Sequence, residues 1–308
     1  MESINPIQIK NLETGNVYLR NGVTLAFFLD QFVHECSNAV TTIFDLFVEN
    51  TPPNTLKWAV VSATSEEWRE VDSTVMKRLR DSLAPVGARK RKYTAFRVND
   101  FGNEAPQFSF TLSDRDKDEK QTNSLTLVQM TFPPGVTEKE NADNLCGLIA
   151  KFAALLKPVS GYCSPSLLPA DSRMSAAFSE MKSIALRYPG YDVAMNDMTQ
   201  LVIGPQVRGA RWITLLGTIL LEMLGGIHAL RNALPSEVEV HDIAGIVMIR
   251  AGRMPELGDK NRKLDTPLLR AVARILEPIT LFQEVDLLSY FAGFDEDLLQ
   301  RWERRFLD

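Results

Sequence analysis

Residues 208–226 read RGARWITLLGTILLEMLGG. Apolar side chains at Trp212, Ile213, Leu215, Leu216, Ile219, Leu220, Met223 and Leu224 recur at i, i+3, i+4 and i+7 and also fill the gaps between. A helix apolar all round has to be buried in a large core or in a membrane. Spanning a membrane takes about 20 apolar residues, and Arg211 and Glu222 close this run well short of that. The stretch therefore predicts a central core helix, anchored by Trp212 and ended at Gly225-Gly226, where glycine suits the position past a helix end.

Working outward, strands and helices come in runs without strict alternation. Residues 22–29 read as a short buried strand. Residues 31–49 read as a helix with Phe32, Cys36, Val40, Ile43, Phe44 and Phe47 on one side, stopped by Pro52-Pro53. A second strand is expected over 56–63, and an amphipathic helix over 72–83 with Asp72 or Ser73 as its cap. Three strands follow at 93–98, 108–112 and 125–132, the first two with the period of two of a half-buried sheet. Thr137-x-x-Glu140, ahead of a helix to Leu156, has the spacing of a capping box, with a cap at Asn141 as the alternative.

Residues 157–169, KPVSGYCSPSLLP, read as a turn-rich bridge between two intimate lobes, about 1–160 and 161–308. The second lobe opens with a helix over 172–187 and a Tyr188-Pro189-Gly190 turn. Residues 238–251 read as two short strands around Ala244-Gly245, and 266–275 as a helix with Pro267 in its first turn. A last helix holds Leu298, Leu299, Trp302 and Phe306. The expected fold class is α+β: a mixed, mainly antiparallel sheet with packed helices, one domain of two lobes around the central apolar helix.

The chain has 308 residues, 45% hydrophobic and 24% charged, the composition of an ordinary globular protein with ample length for a core. A net charge of −5 speaks against a nucleic-acid binder, which normally carries a basic domain. The opening MESINPIQIKNLETGNVYLR has no apolar signal region and no later run reaches spanning length, so a cytoplasmic location without a membrane partner is expected. Cys36, Cys146 and Cys163 are an odd number at wide spacing, which is no disulfide framework.

Chemistry is sparse. Of three histidines, His34 forms an H-x-C pair with Cys36 that faces two directions on a helix. His228 follows the glycines, where it can bond a terminal carbonyl, and His241 and Asp242 point to opposite faces of a strand. Ser164 and Ser166 sit in a Pro-bearing turn, and the chain has no G-x-S-x-G, P-loop or G-x-G-x-x-G. No catalytic residue, metal ligand or cofactor is expected.

The R-G-A-R-W-I-T-L-L-G run at 208–217, the L-G-G at 224–226 and G-Y-C-S-P-S at 161–166 carry a resemblance. They are similar to bacterial type VI secretion immunity proteins, in particular the family that protects against effectors with a VRR-Nuc nuclease domain. The resemblance runs from about Asn21 to Pro278 in order and length of elements. It rests on core and turn residues and assigns no interface. It implies a cytoplasmic protein that binds and blocks a cognate nuclease effector.

Two acidic stretches are candidates for that contact. One is the loop holding Asp114, Asp116, Asp118 and Glu119; the other is the tail holding Asp286, Asp295, Glu296 and Asp297 beside Tyr290, Phe291 and Phe294. The plainer reading of both is a solvated surface, and the basic run Arg89-Lys90-Arg91-Lys92, which could touch nucleic acid, reads more simply as a solvated loop. The alternative function is an enzyme of unrecognised type, a hydrolase with its site between the lobes.

Overall fold

In the computed structural model, the described residues are 6–61, 67–83, 93–115, 123–193, 195–282 and 294–308. The elements run β1 (Gln8–Lys10), β2 (Val17–Leu29), α1 (Ser37–Glu49), β3 (Trp58–Val60), β4 (Arg69–Glu70), α2 (Ser73–Leu83), β5 (Ala95–Asn99), β6 (Ser109–Ser113), β7 (Thr126–Phe132) and α3 (Lys139–Leu156). They continue with β8 (Ser160–Pro169), α4 (Met174–Arg187), β9 (Asp192–Val193), α5 (Asn196–Thr199), β10 (Ile213–Leu216), α6 (Thr218–Met223) and α7 (Gly226–Ala233). The last are β11 (Val238–Ile243), β12 (Ile246–Ala251), α8 (Pro267–Leu276) and α9 (Glu296–Glu303).

The expected central helix does not form. Residues 213–216 are the strand β10, and only 218–223 coil into α6. Ile213 and Leu215 face one hydrophobic cluster while Leu216 faces another, so the strand is covered on both sides. A strand buried on both faces reads as an unbroken apolar run, which periodicity cannot tell from a buried helix. Gly217 makes the break. Its amide donates to Val159 O at 2.9 Å, and a Cβ there would lie 2.6 Å from Pro158 O and 2.7 Å from Val159 O. In α6 itself Ile219 and Met223 are exposed, so the short helix is one-sided after all.

Twelve strands of the described residues form one sheet in the order β11-β12-β10-β8-β2-β7-β6-β5-β3-β4, with β1 beside β2 and β9 beside β8. Every pairing is antiparallel except β8 with β9, so the fold is α+β with a mainly antiparallel sheet. The supposed bridge at 157–169 is instead β8, a buried strand between β2 and β10. Ser164 and Ser166 thus lie in a strand rather than a turn, and both are buried. Pro165 falls between Cys163, the last partner of β10, and Ser166, the first partner of β9, where no ladder donor is needed on that side.

Side chains alternate across the sheet. From β2, Val23, Leu25, Phe27 and Leu29 enter a core shared with α1, α2 and α3, where Phe44, Phe47, Phe96 and Phe110 meet in edge and stacked contacts. On the other face, α6, α7 and α8 cover β10 and β12. Phe178 and Met181 of α4 and Leu299 and Trp302 of α9 cover Leu19 and Leu167. Trp212 is buried, and its indole N–H donates to Gly252 O at 3.1 Å.

Several local expectations hold. Asp72 caps α2 through Val75 N at 2.7 Å. Ala244 (φ 52) and Gly245 (φ 91) make the left-handed two-residue turn of the β11–β12 hairpin. The capping box does not form: Pro134–Thr137 is a 3-10 turn in which the Thr137 hydroxyl donates to Pro134 O, and α3 starts after it. His34 and Cys36 precede α1 in a turn, and burial pushes the Cys36 thiol up to about 11.

Candidate binding surfaces

The two arginines at 208 and 211 point inward. Asp192 of β9, wholly buried, accepts from Arg211 Nη2 at 2.9 Å and from the Tyr162 hydroxyl at 2.9 Å, with Arg208 Nη2 at 3.6 Å. Arg208 Nη1 also donates to Asn196 Oδ1, and the Asn196 amide donates to Gln129 Oε1 at 2.6 Å. Burial alone would raise the Asp192 carboxyl, but Arg208 and Arg211 outweigh it and hold it down to about 2. Arg305 reaches the same region from the C-terminal end. Burial, with the like charge of Arg211, lowers its guanidinium to about 9. Its Nε donates to Pro189 O at 2.8 Å, and its head group lies 3.8 Å from the Trp302 ring centre. The network ties β8, β9, the approach to β10 and the chain end together.

The expected acidic loop begins on a buried residue. Asp114 is 1% exposed, and its carboxylate accepts from Val33 N, Thr94 N and the Thr126 hydroxyl at 3.1, 3.3 and 3.2 Å. Burial raises this carboxyl, and the amides of Val33 and Thr94 oppose the rise. Asp114 is therefore a structural hub rather than the exposed acid expected of it: just past the end of β6, it turns under the loop before α1 and the approach to β5. Asp116, Asp118 and Glu119 lie outside the described residues, as do Asp286, Tyr290, Phe291 and Arg89-Lys90-Arg91-Lys92.

In the tail, Asp295, Glu296 and Asp297 are exposed at the start of α9. Asp295 is its N-cap, accepting from Leu298 N at 2.8 Å, and Glu296 and Asp297 occupy the first turn, where negative charge suits the helix dipole. Phe294 packs inward, edge-on to Trp302 at 6.4 Å. Because Arg305 is buried, it does not offset these acids at the surface. A third feature had no counterpart in the sequence reading. An open cleft of about 820 Å³ lies over β5, β6, β7 and β2 on the face opposite α1–α3, walled by Trp68 and the segments after β8 and β9.

Fold and surface together define an α+β protein that buries arginines together with aspartates and presents an acidic start of α9 to solvent. The chain matches the family TsiV, type VI immunity for VRR-NUC, over residues 39–306, and belongs to that family of immunity proteins. Among solved structures it is similar to the Pseudomonas aeruginosa T6SS protein PA0821, with a TM-score of 0.79 and 17% identity over 98% of this chain and 87% of that one. No curated protein matches it. No helix among the described residues is long and apolar enough to cross a membrane.

Proposed function

We propose that this protein neutralises a cognate VRR-NUC nuclease effector in the cytoplasm by binding it and occluding its DNA-binding or active-site surface, without turnover. The observation that carries this reading is the outward-facing acidic start of α9, Asp295-Glu296-Asp297, on a chain of net charge −5. A nuclease must present a basic groove to phosphates, and a carboxylate-rich surface can occupy it. The protein itself contacts neither nucleic acid nor membrane in this reading. Asp116, Asp118 and Glu119 of the loop are a second candidate patch in this proposal, and Asp286 is a further candidate in the tail; all four lie outside the described residues. Opposite charges would steer association to about 10⁸–10⁹ M⁻¹s⁻¹ at low salt, which suits a toxin that arrives already folded.

The test is a titration of the effector's DNA cleavage against added protein. Inhibition is expected to complete at a fixed molar ratio. If substoichiometric protein progressively destroyed the effector or its product, the chain would be acting catalytically and the proposal would fail.

A further inference from the structure

The cleft on the open sheet face is built from strand residues that alternate with the core. Val23 and Leu25 enter the core beneath α1 and α3, so Thr24 between them turns to the cleft. Register places Thr24 opposite Thr131, Thr131 opposite Ser109, and Gln129 opposite Thr111, giving a floor of hydroxyls and one amide across three strands. Most positions of a sheet this deep in the fold are apolar. Here Thr24 is 0% exposed and its hydroxyl has no hydrogen-bond partner among the described residues. A buried hydroxyl without a partner costs free energy, and the cleft is where one could be supplied.

The rim selects the sign of charge. Among the described residues, Glu104, Asp171 and Asp197 line it against a single cation, Arg97, and Arg97 is already engaged with Asp171 at 2.7 Å. Glu104 is committed as well, its Oε2 accepting from Val17 N at 3.0 Å with Arg20 nearby, which leaves the exposed carboxylate of Asp197 for an incoming cation. Trp68, half-buried, contributes an aromatic wall. An aromatic face, a carboxylate rim and a hydroxyl and amide floor are together the environment of a planar cation with several donors.

We infer that this cleft receives an arginine side chain presented by the nuclease partner, as a second anchor apart from the α9 acids. This rests on the immunity reading, because it takes the source of the arginine to be the DNA-binding surface of the effector. The guanidinium stacks on Trp68, pairs with Asp197 at the rim and directs its donors to the polar floor. A desolvated arginine of this kind is a typical slow-dissociating anchor of an interface, whereas the α9 acids, exposed at a rim, act on the rate of encounter.

The experiment measures the full chain against its VRR-NUC effector, comparing wild type with Asp197→Lys and Trp68→Ala, each shown by thermal unfolding to be folded. The expected result is at least a tenfold loss of affinity in each, taken up in the dissociation rate. Wild-type affinity in both variants would overturn the inference while leaving the immunity reading in place. Should the wild-type chain fail to bind the effector, the immunity reading fails instead. The cleft is then decided by NMR titration of the free protein with L-argininamide against L-glutaminamide. A saturable shift at Thr24, Thr111 and Gln129 with the cation alone, lost in Asp197→Lys, supports the site. No saturable shift, or an equal one with the neutral amide, overturns it.

Discussion

Asp192 lies between Arg208 and Arg211, out of water, so its charge is a condition of folding. Taking ions out of water is costly, and removing one partner of such a set leaves the others uncompensated. The folded carboxyl is held at about 2 against an ordinary value of 3.8. A depressed carboxyl contributes stability that is complete above its unfolded value and is lost as pH falls through the folded one. The window is therefore from about pH 4 down to pH 2, and the shift corresponds to about 2 kcal/mol. The difference in unfolding free energy between wild type and Asp192→Asn should stay constant above about pH 5 and shrink by that amount toward pH 2. Urea titrations at several pH values read it directly, and a difference independent of pH would show that the folded state does not hold the Asp192 carboxyl below its unfolded value.

Gly217 separates β10 from α6, and its surroundings are main-chain carbonyls that cannot swing away. Gly217→Ala should therefore destabilise the fold by about 3 kcal/mol, the upper range for forcing a methyl into a packed site. Gly147, exposed inside α3 with nothing within 4 Å of a Cβ, is the opposite case. Gly147→Ala should stabilise by about 1 kcal/mol, because alanine is the better helix former. Denaturant midpoints that moved the same way for both would show that local space does not decide these positions. The same glycine marks where sequence and structure part. Amphipathic elements with one polar face were legible: α2, α8, the β11–β12 hairpin and its Ala244-Gly245 turn all carry their period or their turn residues openly. β10 and β8 were not, because both of their faces are buried and their strand period is erased. The polar cleft had a trace in the sequence, in Ser109 and Thr111 on β6 and Gln129 and Thr131 on β7. Only the register sets those residues side by side.

Across the whole molecule, charges of both signs are drawn into the interior. Arg208, Arg211 and Arg305 go inward to serve Asp192 and the chain end, and Asp114 goes inward to hold the loop before α1. From sequence alone these could not be told from surface charges, since no pattern of neighbours distinguishes a buried Arg from a solvated one. The outward set is correspondingly more acidic than the tail's composition suggests, with Arg304 spent on Glu277 and Asp308. Asp295 is needed to cap α9, so charge reversal is best confined to Glu296 and Asp297, which make no cap. Glu296→Lys with Asp297→Lys should leave the thermal transition within a few degrees of wild type, because helix-dipole contributions at an exposed first turn are about 0.3–1 kcal/mol each. Its association with the effector should slow several-fold at low salt and lose much of its salt dependence, while dissociation stays nearly constant, as expected of rim charges. Stopped-flow association at two ionic strengths measures both quantities. An unchanged association rate at low salt would remove α9 from the interface and leave any steering to the other acids.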